Sequence, residues 1–311
     1  MQFSKETTAF IYPGQASQYV GMGSDLYEKY DSVKNVYSTA SDLLGFDLAE
    51  LSFNGPIEKL TQTFVTQPAI FTHSYALTML LRDNGYKPGY SAGHSLGEYS
   101  ALVAAESIDF IDALKVVKVR ANAMQKACEE NPGTMAAIIG MDLVSLEGLC
   151  SKVGNGGSVR VANLNSPSQL VISGTHDAVH EVMTAAKENG AKIVKELNVS
   201  GAFHSSLMES AVEELDESLR RMVISVPSFP VYTNFTALPL SDPEEIMNSL
   251  SKQITNPVKW YPTILNMAAE GVTNFIEVGP GKVLQGLIKR IDKNLSASGF
   301  DTLDDLNGAL N

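Results

Sequence analysis

Tyr90-Ser91-Ala92-Gly93-His94-Ser95-Leu96-Gly97-Glu98-Tyr99-Ser100-Ala101-Leu102-Val103 is the most informative stretch of this 311-residue chain. Its first residues form a short strand candidate, and Gly93-His94-Ser95-Leu96-Gly97 turns sharply. Glu98 onward, with Tyr99, Leu102 and Val103, begins a helix. A G-x-S-x-G pentapeptide between a strand and a helix is the context in which a serine is held out on a strained turn. Side chains at the two flanking positions would block the turn or a substrate. The start of the following helix supplies free backbone N–H groups, that of Leu96 among them, aimed where an oxyanion would form. An ordinary Gly/Ser turn is the structural alternative.

On either side the texture is α/β. Thr8–Tyr12 is expected as a buried strand, broken by Pro13-Gly14 into the loop Gln15-Ala16-Ser17-Gln18. Helices are expected at about 25–44 and 67–84, with Pro68 in the first turn of the second, and at Ala113–Ala127. From Thr134 the elements shorten: strand Met135–Ile139, helix 143–153, a turn Gly154-Asn155-Gly156-Gly157, strands Val159–Ala162 and Leu170–Ser173, helix 177–189 and strand Lys192–Val199. The order β-α-β-β-α-β is ferredoxin-like, so residues 131–199 are expected to form a small inserted domain. The α/β texture then returns with a helix at 205–222, a strand Val231–Asn234, a helix at 261–270, and the strand Asn274–Val278 ending in Gly279-Pro280-Gly281. The large domain is therefore expected to be discontinuous, 1–130 with 200–311.

Composition narrows the classes further. With 23 Lys plus Arg against 35 Asp plus Glu, the net charge is −12, which excludes a general nucleic-acid binder and leaves room only for a local basic patch. At 44% hydrophobic and 19% charged, the chain can bury a sizeable core. The two cysteines, Cys128 and Cys150, stand in no metal-ligand pattern, and no run approaches the roughly 18–20 apolar residues of a membrane span. A protein of the reducing cytoplasm is expected, off the membrane.

A serine needs a base to become nucleophilic at neutral pH, usually histidine, and there are five. His73 lies on an apolar helical segment and reads as a core or surface residue. His94 adjoins the serine, but its side chain is expected on the opposite side of the turn. His176 and His180 have a helical i, i+4 spacing without an apparent third metal ligand, so a solvated face is the simpler reading. His204 remains, in Ser200-Gly201-Ala202-Phe203-His204-Ser205, a small-residue loop able to present a side chain to a cleft. No acidic residue between Ser95 and His204 stands at an obvious strand end, and a long stretch of chain follows His204. Both features depart from the Ser, Asp/Glu, His order of a plain α/β-hydrolase esterase.

Phe10-Ile11-Tyr12-Pro13-Gly14-Gln15-Ala16-Ser17-Gln18, Thr66-Gln67-Pro68-Ala69, Gly93 to Leu102, Ala162-Asn163-Leu164-Asn165-Ser166-Pro167-Ser168-Gln169 and Glu277-Val278-Gly279-Pro280-Gly281-Lys282-Val283-Leu284 together resemble malonyl-CoA:acyl carrier protein transacylases of fatty-acid synthesis. The resemblance runs from about residue 8 to about 292. It implies a hydrolase-like core with a parallel sheet and an inserted ferredoxin-like domain. It implies ping-pong transfer of a malonyl group from coenzyme A to the phosphopantetheine thiol of acyl carrier protein, with Ser95 as nucleophile and no metal or redox cofactor. His204 would be the base, oriented by the main-chain carbonyl of Gln253. Gln15 and Leu96 would give backbone N–H groups to the oxyanion; Gln67, Met124 and Asn163 would line the pocket, although caps, loop bonds or core packing would equally explain those three.

Arg120 would hold the free malonyl carboxylate, a task suited to a planar guanidinium and not to lysine. Acyl carrier protein is acidic, so Lys282, Lys289 and Arg290 are candidates for its docking, with a helix C-terminal charge cluster as the plainer reading. Where the family usually has Gly, this chain has Ala16; if that position needs φ > 0, the methyl costs roughly 1 kcal/mol. A transferase charging a polyketide carrier would use the same residues, and a serine esterase or thioesterase is the more distant alternative.

Overall fold

The computed structural model describes residues 4–153 and 159–310; the expected turn at 154–157 lies outside the described residues. Among the described residues ten strands fall into two sheets: β1 (Thr8–Tyr12), β2 (Tyr90–Gly93), β3 (Thr134–Ile139), β4 (Val159–Ser166), β5 (Gln169–Gly174), β6 (Ile193–Glu196), β7 (Val231–Tyr232), β8 (Pro239–Leu240), β9 (Asn274–Val278) and β10 (Ser296–Phe300). The larger sheet has the order β10-β9-β1-β2-β7-β8. Its neighbours run parallel except β7 and β8. β1 is buried along its whole length, as a strand covered by helices on both faces must be, which is why it reads as a continuous apolar run.

Parallel strands all end at one edge, and the loops leaving that edge are where α/β sheets place their sites. Here they are the loop after β1, beginning Pro13-Gly14-Gln15, the turn after β2 that carries Ser95, and Gly279-Pro280-Gly281 after β9. β3, β4, β5 and β6 form the second sheet, order β4-β5-β3-β6, antiparallel throughout. Helices Leu143–Val153 and His176–Glu188 pack with it around a core of their own that includes Ile138, Leu146, Ile172 and Val182. The fold is thus α/β, with a parallel-stranded sheet and a ferredoxin-like βαββαβ unit. The two are stapled where Leu164 N–H donates to Val258 O and Val258 N–H to Ala162 O, which holds Asn163 beside the site.

Several boundaries differ from expectation. The helix expected at 25–44 is two, Ser24–Lys29 and Asp31–Leu44, because Tyr30 is extended (φ −120°, ψ 120°) and serves as the boundary of both. Pro68 is not in a first turn: its helix is Thr63–Asp83, and it sits inside. Proline there removes one ladder bond, and the burial of almost every residue from Thr63 to Ala76 offsets that loss. The stretch 205–222 begins as a 3-10 turn, Ser206–Ala211, and becomes α-helical only over Val212–Arg221. Among the described residues no helix is long and apolar enough to cross a membrane.

Candidate active site

Ser95 lies two residues after β2, at φ 52°, a left-handed conformation that L-residues adopt at a cost. The positions two residues to either side have no alternative to glycine. A Cβ on Gly93 would strike the backbone of Gly97, and one on Gly97 would strike the carbonyl of Tyr12. The turn is held from outside by Asn234, which follows β7: its Oδ1 accepts from Ser95 N–H at 2.7 Å, and its Nδ2 donates to Gly93 O at 2.6 Å. The chain entering the strained residue is therefore tied at two points to a single amide.

His204 is also left-handed (φ 59°) and is buried at 3% exposure. Its Nδ1 lies 2.9 Å from the main-chain oxygen of Gln253 and its Nε2 lies 2.9 Å from Ser95 Oγ. A carbonyl can only accept, so Nδ1 carries the proton and Nε2 is left as the acceptor of the serine hydroxyl. Burial, then the nearby Arg120 charge, push the His204 pKa down to about 3, so the ring is neutral across the physiological range. The partner of Nδ1 is a carbonyl, where a hydrolase triad has a carboxylate.

Arg120 projects from the Phe110–Glu130 helix into the same space and is 1% exposed. Its Nη1 donates to Gln67 Oε1 at 2.5 Å; its Nη2 donates to Gln253 Oε1 at 2.8 Å and to Ser95 Oγ at 3.0 Å. Tyr99 places its ring 5.8 Å from the guanidinium carbon. Among the described residues no carboxylate forms an ion pair with Arg120, and its Nε–H has no acceptor. A buried cation with no direct ion-pair partner, bonded to the Ser95 hydroxyl, is an unusual arrangement to keep for stability alone.

These groups face a cavity of about 310 Å³. Gln15, Gln67, Leu96, Met124 and Asn163 all line it. Gln67 Nε2 approaches Met124 Sδ at 3.6 Å, so these two belong to the Arg120 wall. Among the described residues no acceptor takes the backbone N–H of Gln15 or of Leu96. The apolar part of the lining includes Met135, Val171, Leu197, Phe203 and Leu287.

His94 lines the cavity too, instead of turning away, with Nε2 2.9 Å from Asn165 Oδ1. His73 is fully buried and meets Asp301 at 3.0 Å, a core pair. His180 meets Glu196, and no three potential metal ligands cluster among the described residues. Lys289 and Arg290 end the Val283–Ile291 helix, but Lys282 precedes it, so no C-terminal charge cluster explains Lys282.

Ala16 adopts φ 80°. A left-handed L-residue costs about 1–2 kcal/mol, and glycine in the unfolded chain returns about 0.4–1 kcal/mol of that as entropy. Ala16→Gly is therefore expected to raise stability by roughly 0.5–1 kcal/mol. Chemical denaturation would check it; an unchanged or lower midpoint at equal slope would show that the loop bears no strain.

The site missed by sequence reasoning lies behind these residues. Glu98 is fully buried, its Oε2 accepting from Asn234 N–H at 2.9 Å and from Gln253 Nε2 at 2.8 Å. Burial raises its pKa to about 7.

The fold and the elbow define an α/β acyl-transfer scaffold, and comparison with known proteins agrees. Residues 9–300 match the acyl transferase domain family model, and the chain belongs to that family. It is 44% identical over 288 residues to the malonyl CoA-acyl carrier protein transacylase of Bacillus subtilis, covering 92% of this chain and 91% of that one. The crystal structure of an acyl carrier protein S-malonyltransferase from Vibrio cholerae superposes with a TM-score of 0.94 at 42% identity, over 97% of this chain and 99% of that one. A malonyl-transacylase solved in complex with its type II polyketide-synthase acyl carrier protein gives 0.94 at 40%, over 97% and 98%.

Proposed function

We propose that the protein transfers a malonyl group from malonyl-CoA to the phosphopantetheine thiol of acyl carrier protein, in fatty acid synthesis, through a malonyl ester of Ser95. The observation that carries this reading is the buried, carboxylate-free Arg120 within 3.0 Å of Ser95 Oγ. It calls for a substrate whose acyl group ends in an anion.

In the first half-reaction His204 Nε2 takes the hydroxyl proton as Oγ attacks the thioester carbon. The backbone N–H groups of Gln15 and Leu96 receive the developing oxyanion. Collapse breaks the C–S bond, and the imidazolium returns its proton to the departing CoA sulfur. The carrier-protein thiol then attacks the ester by the same steps in reverse. Throughout, the malonyl carboxylate rests on Arg120, whose remaining bonds to Gln67 and Gln253 keep the guanidinium plane fixed. A serine esterase would need neither this arginine nor the exclusion of water that the transfer requires. A polyketide carrier would engage the same atoms, and the similar chain solved with such a carrier supports that as the second reading.

In the same reading, residues 131–199 are a small domain inserted into a core made of 1–130 and 200–311, with the cavity between them. Lys282, Lys289 and Arg290 form the carrier docking patch. All three are exposed, and Arg290 Nη1 donates to Gln169, a residue of the cavity wall. Reversing the three charges to Glu is expected to slow transfer to carrier protein about tenfold or more, mostly through association, while acylation by malonyl-CoA continues. Equal loss in both half-reactions would remove the patch from docking.

The function itself is tested by intact-mass spectrometry after mixing with malonyl-CoA. A malonyl adduct on Ser95, discharged by holo acyl carrier protein and not by water, is the expected result. An equal adduct from acetyl-CoA that hydrolyses would replace this reading with a thioesterase.

A further inference from the structure

We propose that Glu98 is a positioning residue that sets the malonyl selectivity of Arg120 by fixing the orientation of the Gln253 side-chain amide. The inference rests on the assignment of Arg120 to the malonyl carboxylate.

Gln253 is the hub of the site. It ends the Pro243–Gln253 helix, is 1% exposed, and uses every polar group it turns inward. Its main-chain oxygen receives His204 Nδ1–H, its Oε1 receives Arg120 Nη2–H, and its Nε2 donates to Ser95 O at 3.0 Å and to Glu98 Oε2 at 2.8 Å. Base, cation and nucleophile backbone therefore meet on one residue.

An amide has two orientations related by a half-turn, and its surroundings choose between them. Turned over, Gln253 would set its NH₂ against the guanidinium, donor against donor. Its oxygen would face the Ser95 carbonyl and the Glu98 carboxylate, acceptor against acceptors. The Ser95 carbonyl disfavours that state, and Glu98 Oε2, already placed as an acceptor by Asn234 N–H, disfavours it further. Glu98 is in turn held by the backbone N–H of Asn234, the residue whose side chain ties down the turn leading into Ser95. The path Glu98, Gln253, Arg120 carries a buried anion to a buried cation through one amide.

Stability gives little reason for a carboxylate here. Glu98 is fully buried, its Oε1 has no partner among the described residues, and none of the ion pairs found among them includes it. An apolar residue would fill the space without that desolvation cost. What an apolar residue could not do is compel Oε1 of Gln253 toward Arg120. With that acceptor in place, one Nη2 hydrogen is occupied and the guanidinium plane is set; without it the cation can rotate and its grip on a carboxylate weakens.

The test compares CoA release from malonyl-CoA and acetyl-CoA by the wild type, Glu98→Met, Glu98→Gln, Arg120→Ala and the double variant Glu98→Met/Arg120→Ala, with melting temperatures. Glu98→Met is expected to lower the malonyl-over-acetyl ratio of kcat/KM about tenfold, mainly through the malonyl KM, with the acetyl value falling no more than about threefold. In the Arg120→Ala background the same substitution should leave the ratio unmoved, because the route to selectivity is already cut. If Glu98→Met does not fold, Glu98→Gln, which can donate as well as accept and so tolerates both amide orientations, is expected to lower the ratio about threefold.

A folded variant with wild-type selectivity, or a selectivity loss that persists without Arg120, overturns the proposal. The outcome for Arg120→Ala alone separates the two levels. If it keeps the malonyl preference, the assignment of Arg120 fails and Glu98 with it; if it loses the preference and neither Glu98 variant does, only Glu98 is refuted.

Discussion

Acylation by malonyl-CoA should fall by about 10⁴-fold or more in His204→Ala, with KM little changed. Among the described residues Ser95 has no second base: the other group bonded to its oxygen is Arg120, which donates and cannot take a proton. Because serine and base act as one unit, Ser95→Ala/His204→Ala should be hardly worse than either single change. The pH behaviour follows from burial. An exposed histidine gains its proton near pH 6.5, whereas His204 resists protonation down to about 3. Loss of base function should therefore add no acid limb to acylation near pH 6.5.

The same shift has a stability consequence, and its sign is fixed. Between about pH 6.5 and about 3 the unfolded chain binds a proton that the native ring refuses, so this group's contribution is intact above pH 6.5 and lost as pH falls through that window. His204→Gln should flatten the acid dependence of the melting temperature. A limb at pH 6.5 in kcat/KM that Glu98→Met does not remove, or an unaltered acid profile in the variant, would show that the imidazole is more open to water than its 3% exposure implies.

The elbow and the parallel sheet were legible because both are local. Strict steric demands at Gly93 and Gly97 and the unbroken apolar run of β1 leave few alternatives over a handful of residues. His204 emerged by elimination among five histidines, and Arg120, Gln253 and the pocket residues only through resemblance to a family. Asn234 and the Gln253 side chain were missed because their bonds to the elbow join residues 139 and 158 apart in the chain, and a lone Asn or Gln looks like any surface residue. Glu98 did carry a signal. The helix Gly97–Ala104 is buried at every position from Gly97 to Val103, and a helix with no polar face must bury its glutamate.

Strands and helices outside the site divide by the same logic. The Pro243–Gln253 helix was announced by an Asp242 cap, Pro243 at its start and Glu244 and Glu245 in its first turn. It was overlooked beside stronger periodicities. β10, Ser-Ala-Ser-Gly-Phe, has no alternation to read and is a strand because β9 pairs with it. Glu277 shows how such long-range demands hide: its carboxylate accepts from the N–H groups of Leu284 and Gln285 and so caps the helix that lines the cavity. Burial raises its pKa to about 7.

Arg120→Lys should lower kcat/KM for malonyl-CoA by about 10²-fold, and Arg120→Ala by about 10²–10³-fold, while the acetyl-CoA reaction is retained or rises. The first figure is the more telling. Lysine preserves the charge, but an ammonium is a point donor on a flexible stem and cannot bond Gln67, Gln253 and both carboxylate oxygens at once in a plane. Loss of about two charge-assisted hydrogen bonds, each about 1.5–3 kcal/mol, accounts for the magnitude.

The opposite sign for acetyl-CoA has two physical sources. An acetyl group leaves the buried cation without its anion, a cost absent once the arginine is gone. Arg120 also helps hold the His204 pKa down, so its removal strengthens the base; in the wild type, arrival of the malonyl carboxylate would neutralise the same charge at the moment that base is needed. Selectivity and activation would then come from one side chain. Rates for both thioesters in the two variants decide the matter: if acetyl and malonyl transfer fall together, Arg120 serves the elbow's structure and the carboxylate is recognised elsewhere.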